Sequence, residues 1–313
     1  MSRRRTLICL FLFSCVAPCV AAAQGNDSSE TRVPPLSLPI APIPSSADIS
    51  TPTELHPLRL SLVGMGFLGA FVALDQGYRK AWWRGEKVSF HFAEDYLYAR
   101  NLDKVGHFYG TALTSFVCAR SLEWAGFSRP SSVWLGAGLG LMSELYIEIQ
   151  DGFSPYWGFD RVDAISDLLG ATFFLAQYHF PLLQNVDVKF SYFPSPHYGQ
   201  YGTGNFGSKK QTFIDDFEGH TYWLSMKVNK LLPSKVEPYW PDVLAVAVGV
   251  RAANLHADGG GHREVLVGLD YDLTALPGIG GFWLAIKELG NYFRLPAPAV
   301  RVYPGPIWYG LYL

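Results

Sequence analysis

The chain has few charged residues and no basic excess. Asp, Glu, Lys and Arg make up 17% of its 313 residues, and the formal net charge is −2. Without a basic excess the chain cannot neutralise phosphates, which argues against nucleic-acid binding. Disorder is excluded, because 49% of the residues are hydrophobic and the net charge is small. Few charges together with 15% aromatic residues are common in proteins that lie in or against a membrane.

The first 23 residues predict a secretory signal peptide. Three arginines precede an apolar run over 7–20 that is too short to span a bilayer securely, and Ala21–Ala23 supplies small residues for cleavage. A lipoprotein signal ending at Cys15 fits less well, because Phe13 is unusual there. We therefore predict an exported protein, in the periplasm or associated with the outer membrane of a Gram-negative-type envelope.

Cysteine and common catalytic motifs are also scarce. Of four cysteines only Cys118 lies outside the predicted signal peptide, so an internal disulfide is excluded and apolar burial must hold the fold. No nucleophile elbow, Ser-x-x-Lys pair or HExxH-type spacing stands out. The sequence therefore names no reaction, and it leaves open whether the protein is an enzyme.

Apolar segments with helical spacing follow a Pro-, Ser- and Thr-rich stretch. They are Leu60–Leu74, Asp103–Trp124, Ser132–Gln150 and Val162–Tyr178. None has the roughly 18–20 uninterrupted apolar residues of a confident membrane span, so a soluble bundle and short membrane helices both fit. From Val186 the hydrophobic period changes to two, which predicts antiparallel strands near 186–192, 222–228, 243–250, 265–271 and 307–313.

These patterns together predict an α+β fold. The expected order is a signal peptide over 1–23, a linker over 24–58, an apolar helical bundle of about four helices over 59–184, and an antiparallel β-rich region over 185–313.

Polar side chains form a stripe on each of the last three predicted helices. The stripes are Asp103, Lys104 and His107; then Glu144, Glu148 and Asp151; then Asp160, Asp163 and Asp167. Spacings of three, four and seven residues place each set on one helix face. Short connections make successive helices antiparallel neighbours, so the stripes should converge at one end of the bundle.

The predicted binding cluster consists of Asp103, Lys104, His107, Glu144, Glu148, Asp151, Asp163 and Asp167. Grouped carboxylates resist burial unless a cation lies near them. That cation could be Lys104, protonated His107 or a divalent metal, for which the predicted ligands are His107, Glu148, Asp151 and Asp163. No other cofactor is indicated. A solvated rim or a structural ion-pair network would explain the same residues.

Aromatic and basic residues are mixed shortly after the first predicted apolar segment. They are Tyr78, Arg79, Lys80, Trp82, Trp83 and Arg84. This mixture is typical of the membrane–water interface, and ordinary packing would explain it equally well.

Several motifs carry a family resemblance. LDKVGHFYG, IEIQDGFSPYWGFDRVDAISDLLG and GHTYWLS resemble the YfiM-like family of predicted periplasmic proteins and, more remotely, the VanZ-like membrane family. The resemblance implies an envelope location and, in the larger members, a strand-rich C-terminal extension, but no substrate. Its motif positions here are Asp103, Lys104, His107, Glu148, Asp151, Gly152, Asp163 and Gly170. Asp160 and Asp167 stand where that family usually has Ser and Asn, and both add negative charge.

The leading hypothesis is an envelope protein that binds or organises an envelope lipid or glycan through the polar cluster. The alternative is a metal-dependent hydrolase acting on a lipid or cell-wall substrate, with Glu144 or Glu148 as general base. A third hypothesis is a structural membrane-associated protein with an internal ion-pair network. The expected partner is a membrane or an envelope lipid or glycan, and the sequence points to no particular protein partner.

Overall fold

The computed structural model describes residues 54–200, 211–233, 235–255, 260–278 and 280–313. Its helices are α1 Pro57–Ala81, α2 Leu102–Trp124, α3 Arg129–Asp151, α4 Arg161–His179 and α5 Gly281–Gly290. Its strands are β1 Val186–Tyr192, β2 His220–Met226, β3 Leu244–Ala253, β4 His262–Tyr271, β5 Ala297–Tyr303 and β6 Ile307–Tyr312. The α+β prediction is confirmed. The predicted signal peptide, and the predicted linker up to residue 53, lie outside the described residues.

Helix α1 is less buried than the other helices of the first half, although it contacts α3 through Phe71 and Asp75, which both reach Tyr146. Only Val63 and Ala81 are buried on it, whereas α2, α3 and α4 pack against one another. By length and composition it is the one helix in the described part of the chain that could cross a membrane, since it has 25 residues and contains an 18-residue window with a mean hydropathy of 1.7. The apolar pattern stops at Leu74, but the helix continues to Ala81, and an ion pair between Asp75 and Arg79, four residues apart and at 2.7 Å, stabilises this last part.

Small residues allow α2 and α3 to approach closely. A Cβ on Gly136 would lie 2.7 Å from the Ala119 backbone nitrogen, and a Cβ on Gly140 would lie 2.3 Å from Ser115 Oγ and 2.8 Å from the Ser115 backbone nitrogen. Ala119, Val133, Ala137 and Phe174 form the buried core beside this contact. The close approach fixes how the two helices align, and therefore where their polar ends meet.

Two glycines on α3 should respond oppositely to alanine. We expect Gly140→Ala to lower the free energy of unfolding by about 1–3 kcal/mol, because the added methyl overpacks the contact with Ser115. Gly138 has nothing within 4 Å of a built Cβ, so Gly138→Ala should raise the free energy of unfolding by up to about 1 kcal/mol through helix propensity. Chemical denaturation of both variants tests the close approach, and equal effects at the two positions would contradict it.

The six strands form a single antiparallel sheet in sequence order, from β1 to β6. Val188 and Phe190 of β1 and Tyr222 of β2 share one face and pack against Tyr109 of α2. The sheet is thereby attached to the helices through α2. Strand β5 and helix α5 are additions that the sequence pattern did not predict.

A buried histidine in this core should make stability depend on pH. His220 is 4% exposed, and its Nε2 donates to the Phe213 carbonyl at 2.7 Å. Burial lowers the pKa of His220 to about 4, below its unfolded value near 6.5. The unfolded chain therefore takes up the proton first, and stability is lost as the pH falls from about 6.5 toward 4.

This loss should reach about 2 kcal/mol by about pH 5 in the parent protein. In His220→Phe it should disappear, although the missing hydrogen bond lowers stability at neutral pH by about 1 kcal/mol. Denaturation of both proteins at pH values between 5 and 8 isolates the contribution of His220 to the free energy of unfolding. An unchanged difference between the two proteins across this range would contradict the assignment.

Candidate functional site

The three predicted polar stripes meet at one end of α2, α3 and α4. Asp103, Lys104 and His107 lie in the first turns of α2, Asp163 and Asp167 in the first turns of α4, and Glu144, Glu148 and Asp151 in the last turns of α3. The structure thus brings all eight predicted residues into one polar cluster.

Lys104 is surrounded by four carboxylates. Its Nζ lies 2.8 Å from Asp95 Oδ1, 3.0 Å from Asp103 Oδ2, and 3.1 Å from both Asp160 Oδ2 and Asp163 Oδ1. Burial acts to lower the pKa of Lys104, but these carboxylates outweigh it and the pKa is raised. Lys104 is therefore a permanent cation that holds the starts of α2 and α4 together.

His107 lies at the centre of the remaining carboxylates. Its Nδ1 is 3.0 Å from Asp167 Oδ1, and its Nε2 is 3.5 Å from Glu148 Oε1 and 4.0 Å from Asp163 Oδ2. Thr111 Oγ1 also donates to Asp167, at 3.2 Å. Burial acts to lower the pKa of His107, but Asp167, Asp163 and Glu148 outweigh it and raise the pKa well above its usual value.

The α3 carboxyls lie in a less polar environment. Burial raises the pKa of Glu144 to about 7, that of Glu148 to about 9 and that of Asp151 to about 7. Glu148 accepts a hydrogen bond from the Asp160 backbone N–H at 3.0 Å. The raised pKa values of these carboxyls favour their protonated forms more than free carboxyls would, which reduces the negative charge buried beside His107.

A strained turn sets the start of α2. Ala99, Arg100 and Asn101 have φ values of 44°, 57° and 63°, in the left-handed region. Each such non-glycine residue costs about 1–2 kcal/mol, so the surroundings must impose the conformation. Arg263 of β4 contributes by donating from Nε to the Arg100 carbonyl at 2.7 Å. The sheet therefore supports the turn that positions Asp103 and Lys104.

Three sets of side chains in the cluster have the composition of a metal site. They are His107, Glu148 and Asp163; His107, Glu144 and Asp167; and Asp95, Asp103 and Asp163, with one ligand atom of each member within 4.8 Å of the others. The first set contains three of the four predicted ligands. The fourth, Asp151, accepts at Oδ1 from the Trp83 indole N–H at 2.6 Å.

Sequence reasoning missed two members of the site. Asp95 and Trp83 lie in the segment between α1 and α2, which has no helical period. This segment is fastened to the α3–α4 connection by backbone hydrogen bonds between His91 and both Gly152 and Phe159. Asp160, noted as part of the α4 stripe but left out of the predicted binding cluster, also belongs to the site, since it caps α4 and contacts Lys104.

A family model matches the part of the chain that carries this cluster. Residues 91–179 match a family described as predicted periplasmic lipoprotein (DUF2279). No curated protein and no solved structure matches the chain. The family match confirms the predicted location: this is an exported protein of the periplasm or envelope. The more specific resemblance to YfiM-like and VanZ-like proteins stays a prediction.

Proposed function

We propose that the protein binds an envelope lipid at the membrane surface and holds the lipid headgroup in the polar cluster. The observation that carries the proposal is the hydrogen bond from Trp83 Nε1 to Asp151 Oδ1 at 2.6 Å. Trp83 follows directly on α1, the candidate membrane span, and Asp151 belongs to the cluster. This contact connects the polar cluster to the end of the candidate membrane span.

The end of α1 has the composition of a membrane interface. The Tyr78 and Trp82 rings stack at 4.8 Å, Trp83 contacts Tyr78 edge-on at 5.5 Å, and Arg79 and Lys80 lie in the last turn. Aromatic and basic side chains are enriched at the level of lipid headgroups. With α1 in the bilayer, the cluster would lie at that level.

The helices that carry the cluster are apolar on their outer side. Met142 and Ile149 of α3, and Ile165, Leu168 and Leu169 of α4, are exposed by 45–68%. On each helix these exposed apolar residues lie in the same turns as the carboxyls of the cluster. A lipid with its headgroup at the cluster would therefore have apolar surface for its acyl chains beside it.

The cluster offers hydrogen-bond acceptors to a ligand. Asp103 Oδ1 and Asp167 Oδ2 are buried and have no hydrogen-bond partner among the described residues, and both side chains are at least nine-tenths buried. The side chains of His107 and Asp95, 18% and 34% exposed, lie on the solvent side. Acceptors in excess favour a headgroup that brings donors, namely hydroxyl groups or an ammonium group.

Lipid retention tests the proposal. The full chain is extracted in mild detergent, and its bound lipids are quantified by mass spectrometry. Asp103→Asn and His107→Gln should each reduce the amount of retained lipid by at least about tenfold, because a hydrogen bond to a charged group contributes about 1.5–3 kcal/mol. The matched control is Asp242→Asn, which changes an exposed carboxylate on the sheet side that accepts from Asn229. Equal retention in all four proteins, or no lipid on the parent, would refute the proposal.

A second candidate is metal-dependent hydrolysis of a lipid or cell-wall substrate. The set His107, Glu148 and Asp163 favours it, because one imidazole with two carboxylates is a donor set that Zn²⁺, Fe²⁺ and Mn²⁺ accept. A metal held there would supply Lewis acidity, and Glu144 could accept a proton from water. Elemental analysis of protein purified without chelator, together with an assay for released headgroup, separates hydrolysis from lipid binding alone.

A further inference from the structure

The six-stranded sheet has its polarity reversed relative to a sheet in water. Successive side chains of a strand point to opposite faces of the sheet, and the cross-strand partners show which residues share each face. The face that bears Lys189, Trp223 and Leu266 is buried, with exposures of 1%, 2% and 0%. The opposite face is open beyond the part that packs on α2.

The buried face is rich in charge. Lys189 Nζ lies 2.9 Å from Asp270 Oδ2, and both residues are 1% exposed. The Arg294 guanidinium lies 4.0 Å above the Trp223 ring. The Tyr312 hydroxyl of β6 reaches Thr221 at 3.2 Å and accepts from Arg251 at 3.1 Å. The last strand thus curls back over β2 and β3, and the sheet encloses its polar side chains.

The open face is apolar from strand to strand. One continuous row of cross-strand partners runs through Leu224, Val248, Val267, Val300 and Trp308. Leu224 and Val248 are 48% and 49% exposed, Val267 is 38% exposed, and Trp308 is 69% exposed. The adjacent row pairs Met226, Val246 and Leu269. Water-facing positions would normally be polar here.

We infer that the open face of the sheet, the apolar face defined by the Leu224–Trp308 row, contacts lipid acyl chains. Three observations favour lipid over a protein partner. The row carries no polar side chain that would set the register of a protein interface, whereas such interfaces have a polar rim. The protein is located in the envelope. A second element, α1, is independently apolar and 6% buried in its span window.

This inference goes beyond the proposed function, because the sheet would contact lipid whether or not the polar cluster holds a headgroup. It also explains why the enclosed ion pairs are tolerated. If lipid surrounds the open face, apolar side chains on that face are already out of water. The polar side chains are then more stable on the enclosed face, where they pair with one another.

Depth-dependent fluorescence tests the inference. The full chain, with its native cysteines replaced by alanine, carries an environment-sensitive fluorophore at Val248→Cys or Val267→Cys. The control is Glu237→Cys, an exposed position in the same half of the chain. The protein is reconstituted with phosphatidylethanolamine and phosphatidylglycerol vesicles that contain a lipid with a nitroxide on its acyl chain.

We expect blue-shifted emission at positions 248 and 267, with stronger quenching by the acyl-chain nitroxide than by aqueous iodide. At position 237, aqueous iodide should quench more strongly than the acyl-chain nitroxide. Stronger quenching by iodide at 248 and 267 would overturn the inference. Emission that is blue-shifted without lipid and quenched by neither agent would also overturn it, since it would show that another copy of the chain covers this face.

Discussion

Lys104→Met is expected to lower the free energy of unfolding by about 3–5 kcal/mol, the usual cost of removing one partner from a buried ion pair. Lys104 is 8% exposed and is within 3.1 Å of four carboxylates. Its loss would leave their negative charge uncompensated at the junction of α2 and α4. Chemical denaturation at neutral pH measures the effect.

The stability that Lys104→Met costs should depend on pH. Burial raises the pKa of both Asp95 and Asp103 to about 6, above an unfolded value near 3.9. Such groups favour the folded state at low pH, and that contribution is lost as the pH rises through about 6. Without the Lys104 charge, the folded protein should lose more stability as Asp95 and Asp103 ionise. Lys104→Met should therefore lower the free energy of unfolding by less at about pH 5 than at about pH 8.

Lys87→Met is the matched control. Lys87 is exposed and donates to Gln150 Oε1 at 2.9 Å, so its replacement should change stability by less than about 1 kcal/mol. A cost for Lys104→Met as small as that of the control would contradict the ion-pair role of the cluster.

Lys189→Met is expected to be comparably destabilising, by about 3–5 kcal/mol, because it leaves the buried Asp270 side chain without its cationic partner. Lys189 also donates to the Tyr271 carbonyl at 2.6 Å, so its removal leaves a second buried group without its donor. Thermal and chemical denaturation of the variant measure this cost.

The double variant Lys189→Met with Asp270→Leu distinguishes the ion pair from packing. Removing both charges should restore most of the lost stability, since apolar replacements of a buried pair are often neutral. A double variant less stable than Lys189→Met would show that the Asp270 carboxylate serves other groups in the enclosed face. Lys235→Met, at an exposed position in the same half of the chain, is the control.

Much of the helical part could be predicted from hydrophobic period. The predicted segments 103–124, 132–150 and 162–178 lie within one to three residues of α2, α3 and α4. Their convergence followed from short connections, which force antiparallel neighbours. Asp95 could not be placed in the same way, because its position depends on the packing of Phe90 and Phe92 against Phe153 and Phe159, contacts between distant parts of the chain.

The sheet could be predicted only in part from sequence patterns. Alternation located the strands β1–β4 and β6, but it does not tell which of the two faces is enclosed, and only the tertiary structure shows that Lys189 and Asp270 face inward. Strand β5 escaped prediction because Pro296 and Pro298 mark its start, and proline argues against a strand. Helix α5 is short and bounded by glycines, which hide its period.

Photo-crosslinking with a lipid that carries its reactive group on the headgroup tests the central claim most directly. The purified full chain in vesicles is irradiated, and the modified residues are mapped by mass spectrometry. We expect adducts around the polar cluster, at exposed positions such as Tyr96 and Phe92, and we expect Asp103→Asn to reduce them. Adducts confined to the sheet, or an unchanged yield in Asp103→Asn, would contradict headgroup binding at the cluster.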